Sequence, residues 1–270
     1  MVKFNTPPEI VSGRRRFTEL DALRGIAVIS VAIYHYTIGY DYYYHLKSAN
    51  KFYLNYGNFA VHLFFIISGF VIFMTLDNTK KGADFLVSRF SRLFPAYWAA
   101  IFITVIFLKL FPLPGLGNYT IKEVAVNLTM LTGFVKLRFI DGVYWTLKIE
   151  LVFYFLMYVL FISKNLVRIN LFCFIWLGIS LISAVINIPL KRYLDSILIL
   201  EYAPLFIAGI NFYKIVKSQA NLINHLLILL SFLVEIVNLL HVNQPSFPYN
   251  PFIAMVIVFC LLFGFLFIWL

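Results

Sequence analysis

Two residues in the first apolar stretch, LDALRGIAVISVAIYHYTIGY over positions 20–40, have the types and spacing from which chemistry can be built: Arg24 and His35. They lie eleven positions apart, which on an α-helix is about three turns, within roughly 20° of alignment, and a rise of about 16 Å. Both therefore fall on one stripe. If the helix crosses a membrane, the guanidinium sits near one surface and the imidazole about half-way through a hydrocarbon slab of roughly 30 Å. An ionisable group at that depth is costly and reads as functional. A neutral imidazole there can take a proton from a hydroxyl, and a guanidinium can grip phosphate. The plainer alternatives are that Asp21, three residues earlier, pairs with Arg24 at the helix mouth, and that His35 is hydrogen-bonded to a neighbouring helix.

Three further features carry polar groups into apolar surroundings. Arg89 and Arg92 in RFSR, at i and i+3, face the same way, and guanidinium pairs suit bidentate binding of phosphate. With Arg24 at the same membrane surface, three such groups could converge on one polyphosphate; the alternative is ordinary basic loop charge. In YWTLKIELVFY, Thr146, Glu150 and Tyr154 recur every four residues behind Trp145. A carboxylate inside the bilayer needs a partner, so Glu150 is either half of a structural ion pair or the group that orients an imidazole. His62 in AVHLFFIISGF reads as an interface residue more readily than as a base. Ser68 and Gly69 in the same stretch are small enough to let another helix approach closely.

These residues need membrane helices to position them, and the composition supplies them. Of 270 residues, 62% are hydrophobic, 19% aromatic and only 13% charged, with a mean hydropathy of +0.88, which excludes a soluble domain of this length. The net charge of +10 is dispersed between apolar runs, which argues for loops near anionic headgroups and against nucleic-acid binding. Cys173 and Cys260 both sit in apolar segments, so neither a disulfide framework nor a thiolate metal site is expected.

The reading is an all-α, polytopic transmembrane bundle forming one integral-membrane domain over 1–270. About eight spans are expected, near 22–40, 59–76, 93–111, 143–162, 171–188, 197–213, 222–240 and 252–270. Residues 1–19, with Arg14, Arg15 and Arg16, are expected in the cytoplasm by the positive-inside rule. Pro95 is expected in the first turn of the third span, and 118–142 on the outer surface, partly as an amphipathic helix.

Taken together, these segments resemble the membrane-bound acyltransferase-3 family, bacterial enzymes that O-acylate cell-surface glycans. LDALRGIAVISVAIYHY resembles the family's opening helix, with its arginine, ten intervening residues and histidine. FFIISGFVI resembles the second helix, SRFSRLFPAYW the two-arginine motif, and YWTLKIELVFY the tryptophan and glutamate segment. Where many members carry an acidic residue, His62 stands here, and the family core of about ten helices exceeds the eight counted, so the C-terminal end is expected to be incomplete.

The resemblance implies catalytic His35 and Glu150, acyl-CoA held by Arg24, Arg89 and Arg92, and support from Asp21, Trp145, Thr146, Tyr154 and Ser68. It implies no resident cofactor and no metal. Acetyl-CoA would be a co-substrate, and the acceptor a sugar hydroxyl on a lipid-linked or exported glycan at the bacterial inner membrane. The partners expected are membrane lipids, acyl-CoA and glycan. Direct transfer with His35 as base and a covalent acyl-histidine both remain open.

Other readings compete. A transporter would line a solute path with the same arginines and histidine, and predicts helices broken at mid-depth; here the Gly and Pro interruptions sit at span ends. Glycerolipid acyltransferases need an aspartate four residues after the histidine, and Asp41 is too far from His35. A structural or sensory membrane protein without catalysis is the remaining alternative.

Overall fold

The computed structural model describes residues 10–11, 14–15, 17–39, 54, 56–111, 118–135, 137–186, 191–217 and 221–241, with isolated helical positions at 253, 256, 257 and 260. Among these residues the architecture is helical, and the strand pairing is a two-residue antiparallel ladder, Ile10–Val11 with Arg14–Arg15. Six helical segments are long and apolar enough to cross a membrane. The span expected from position 252 lies outside the described residues apart from the isolated positions.

The chain clusters into two units, one formed by residues up to Ile67 together with those from Asn243 onward, the other by Ser68–Val242. In the first, α1 (Thr18–Tyr34) opens with Glu19 and Asp21, whose charges suit the positive end of the helix dipole. It runs directly into a π-helical turn, His35–Gly39, where a continuous α-helix was expected. A 3₁₀ turn, Gly57–Phe59, packs against α1: a Cβ on Gly57 would lie 2.6 Å from the Ser30 carbonyl oxygen and 2.9 Å from Tyr34 Cβ. This turn leads into α2 (Ala60–Asp77), which carries the chain into the second unit.

There, α3 (Gly82–Leu110) contains Pro95, so the expectation of a helix starting near Leu93 with Pro95 in its first turn is corrected. At 29 residues the helix is about 44 Å long and exceeds a slab of roughly 30 Å. Arg89 and Arg92 stand within its first three turns. Further along, α3 presents Phe102, Ile103, Ile106 and Phe107 outward, as a lipid-facing helix does.

The centre of this unit is α8 (Ala203–Val216), buried along its whole length from Ala203 to Tyr213. It packs with α6 (Ile169–Val185) and α9 (Leu222–His241), while Phe206 stacks on Phe153 of α5 (Trp145–Ile162) at 4.1 Å. The expectation for Ser68 and Gly69 holds: a Cβ on Gly69 would overlap the Phe206 carbonyl oxygen and lie 3.0 Å from Phe206 Cα. Buried amides join α8 to α9, with Asn224 Nδ2 donating to Asn211 Oδ1 at 2.8 Å.

The segment expected as one span over 197–213 is broken. Helix α7 (Lys191–Leu198) stops at Ile199, whose φ is 45°, and α8 starts afresh with Pro204 in its first turn. Proline's missing N–H and fixed φ suit a helix's first turn, so Pro204 favours a fresh helix start at Ala203 where hydropathy alone suggests continuity.

The amphipathic helix expected on the outer surface is α4 (Ile121–Leu128), closed by a capping box between Thr120 and Glu123. Arg138 Nε donates to Glu123 Oε1 at 3.0 Å, and Asn127, fully buried, ties the loop by bonds to the Arg138 carbonyl and from the Ile140 amide. The Arg138 bond and the Thr120 amide and hydroxyl hold the Glu123 carboxyl down to about 2. A carboxyl depressed on folding stabilises the folded form fully above its unfolded value and loses that contribution as pH falls through its folded value. Wild type should therefore out-melt Glu123→Gln near neutral pH, with the gap closing between about pH 4.5 and pH 2. A gap constant over that window would refute the assignment.

Candidate active site

In the first unit, Arg24 Nη1 donates to Asp21 Oδ1 at 3.2 Å on the exposed start of α1. Eleven residues on, His35 closes the α-helical part and opens the π turn. The intervening residues are α-helical, so the shared stripe stands. The His35 ring is exposed and meets Tyr34 edge-on at 5.4 Å. Thr37 Oγ1 donates to the Ile33 carbonyl at 2.7 Å, taking up an acceptor beside the change of helix type, and π turns of this kind recur at functional positions. His62 is half-buried with its ring 4.9 Å from Phe59.

The second unit gathers four of the expected residues into one chain of contacts. Glu150 Oε1 accepts from Ser68 Oγ at 3.2 Å and from the Tyr154 hydroxyl in a short bond. Tyr154 is buried and lies within electrostatic reach of both Arg89 and Arg92. Arg89 is only 9% exposed. Its guanidinium lies 5.8 Å from the Phe85 ring centroid and donates from Nη2 to Ser88 Oγ at 3.2 Å, yet its Nε is buried with no hydrogen-bond partner among the described residues. Arg92, one turn on, is exposed.

The helices explain the convergence. Phe85 stacks on Tyr158 at 6.3 Å and meets Tyr154 edge-on at 6.4 Å, seating the first turns of α3 on α5. Helix α2 supplies Ser68 from the stretch where Gly69 admits α8. The arrangement is a polar thread, Ser68, Glu150, Tyr154, Arg89, running from inside the bundle to its basic end. There the Lys217 ammonium and the Tyr213 hydroxyl, the latter at 2.7 Å, bind Asp77.

The other two expected residues go elsewhere. Thr146 Oγ1 donates to the Val143 carbonyl at 3.0 Å, as a helix-start contact. Trp145 lies against the Tyr202 ring at 5.6 Å, beside the Ile199 break. Sequence reasoning passed over Glu235, 2% exposed on α9. The signal was present, since a carboxylate in the middle of an apolar run is costly wherever it stands.

Comparison with known proteins follows the same lines. The acyltransferase-3 family profile, described as an acyltransferase domain, matches residues 17–270. A Bacillus subtilis (strain 168) protein provisionally named a peptidoglycan O-acetyltransferase, YrhL, is 30% identical over 174 residues, 56% of this chain. The match spans about a quarter of that protein's length, 25%. No solved structure matches at a significant level.

Proposed function

Because the chain belongs to the acyltransferase-3 family, we propose that it transfers an acetyl group from acetyl-CoA to a sugar hydroxyl of an exported or cell-surface polysaccharide. It does so as a multi-pass protein of the bacterial inner membrane with its N-terminus in the cytoplasm. The observation that carries this reading is Arg89: a guanidinium nine-tenths buried at the basic end of the bundle, with an Nε–H that has no partner among the described residues. Leaving such a donor empty is expensive, and a phosphate oxygen fills it with a charge-assisted bond. Arg92, exposed one turn away, supplies a second positive charge to the same anion.

The remaining residues take roles suited to acyl transfer. His35 accepts the proton of the attacking hydroxyl. Glu150 and Tyr154, bonded to each other, hold the inner face of the Arg89 site in place. Arg24, paired with Asp21, adds positive charge at the start of α1. The transporter alternative predicts helices broken at mid-depth, whereas the interruption at Ile199 lies level with the end of α6 and the end of α9. Family membership favours acyl transfer over it.

The test uses membranes containing the full chain, labelled acetyl-CoA and glycan. Label should pass into glycan, and Arg89→Ala should raise the KM for acetyl-CoA by roughly 10–100-fold, the equivalent of one charged hydrogen bond, with Arg89→Lys recovering part of it. Failure of wild-type membranes to transfer label, or an unchanged donor KM in Arg89→Ala, would overturn the proposal.

A further inference from the structure

A cleft opens beside the break at Ile199, lined among others by Ser183, Lys191, Asp195, Glu201, Asn238 and His241. We infer that this cleft is the subsite for a sugar ring of the acyl acceptor, an uncharged or amino sugar bound through its hydroxyls; the inference deepens the acyl-transfer reading and rests on it.

The backbone gives the first reason. Ile199 is β-branched and has a φ of 45°, a conformation that costs energy and persists where the surroundings impose it, as at ligand sites. The surroundings impose it here through three side chains on two helices, α6 and α9. Trp176 Nε1 donates to the Leu198 carbonyl at 2.7 Å, Ser180 Oγ to the Leu200 carbonyl at 2.6 Å, and Asn238 Nδ2 to the Glu201 carbonyl at 3.0 Å. Non-helical backbone within a membrane span is tolerated where it is buried in protein or lines a wet cavity. This break does both, with its carbonyls tied to α6 and α9 and its Glu201 turned to the cleft.

The lining gives the second. Asp195 and Glu201 accept, Lys191 donates, and Ser183 and His241 do either. Asn238 keeps an N–H and its side-chain oxygen beyond the bond to Glu201. Ser183 Oγ donates to Asp195 Oδ1 at 3.3 Å, which orients the carboxylate from the α6 side. A mixed set of donors and acceptors fits hydroxyls, each of which is both. It does not fit phosphate, since two carboxylates face one ammonium, nor an acyl chain, which would strand the polar groups.

The third reason is position. Helix α6 runs from the Lys164 and Arg168 turn towards Ser183, α8 runs from the break to Lys217, and α9 returns to Asn238 and His241. The cleft is thus at the end of the bundle opposite the Asp77–Lys217 pair and the start of α3 that carries Arg89. An enzyme that takes nucleotide thioester at one membrane face and glycan at the other needs its sugar contacts there.

The test has a binding arm and a transfer arm, both on the full chain in membranes. With Cys260→Ser to remove the exposed thiol, His241→Cys at the cleft mouth is labelled with a membrane-impermeant maleimide. An N-acetylhexosamine tetrasaccharide, a neutral hexose tetrasaccharide or glycerol 3-phosphate is added as the competitor. A saccharide should slow labelling roughly fivefold by occupancy, and Asp195→Asn or Glu201→Gln should remove the protection. In the transfer arm the same two variants should raise the acceptor KM roughly tenfold and leave the acetyl-CoA KM unchanged. Absence of protection by either sugar, protection by glycerol 3-phosphate alone, or donor and acceptor KM rising together would overturn the inference. Protection without any acetyl transfer would uphold the sugar subsite and defeat the acyl-transfer reading. Transfer unaffected by either variant, with no protection, would do the reverse.

Discussion

Replacing His35 with alanine is expected to cut acetyl transfer into glycan by roughly 10²–10⁴-fold while leaving the protein folded. A sugar hydroxyl is a poor nucleophile near neutral pH. In the direct route its oxygen attacks the thioester carbonyl as its proton passes to the imidazole. The carbon–sulfur bond then breaks and the departing thiolate recovers the proton, so the histidine ends as it began. In the covalent route the imidazole itself takes the acetyl group, releases thiol and passes the acetyl on. The alanine variant disables both routes, and trapped label on the wild-type chain without glycan would distinguish the second. The ring is exposed at the end of α1 with an edge contact to Tyr34, so its removal opens no core cavity, and the apparent melting temperature should hold. Transfer that persists in His35→Ala would defeat both routes.

The second large effect is structural. Gly69→Ala should cost about 3 kcal/mol or more, the upper range for overpacking, because the new methyl meets backbone: the Phe206 carbonyl oxygen and, at 3.0 Å, its Cα. No rotamer change relieves that, since a carbonyl moves only with its helix, and Phe206 lies in the most buried helix of the bundle. The expected result is loss of folded protein in detergent or a sharply lowered apparent melting temperature, together with displacement of Ser68 and hence of its bond to Glu150. Gly178→Ala on α6 is the matched control. A Cβ there meets nothing within 4 Å, and alanine favours a helix by up to about 1 kcal/mol, so stability should hold or rise. Equal behaviour of the two variants would show that the α2–α8 approach is not what glycine serves.

Much of this arrangement was legible in the residues. Apolar runs of near-constant length located α2, α5 and α9 within two residues and α6 within three, because hydropathy and span length are set by the same slab. The Thr146, Glu150, Tyr154 spacing forecast a polar stripe, and two of its members do bond, but periodicity could not show that Thr146 would turn to its own helix start. The start of α3 was misjudged because Pro95 is a strong local signal, and the aromatic seat that Phe85 finds on Tyr154 and Tyr158 outweighs it. The break at Ile199 was hidden because ILILEYAPLFIAGI reads as one apolar stretch despite Glu201 and Pro204, neither of which the sequence reading singled out. The cleft groups, Ser183, Asp195, Glu201 and Asn238, are spread over more than fifty positions, and no spacing rule brings them together before the helices do.

The amide pair between Asn211 and Asn224 bears on how the chain is made. Asn211 Nδ2 is engaged by the Ile207 carbonyl, and the amide and side chain of Asn221 exchange bonds with those of Asn224. The pair is therefore aligned by contacts local to each helix before the two meet. In lipid, where apolar faces slide past one another without preference, such a directional contact selects one rotational register. Helices α8 and α9, neighbours in sequence, can on this account pair in one register as they enter the membrane, ready to pack as a unit against the helices made before them.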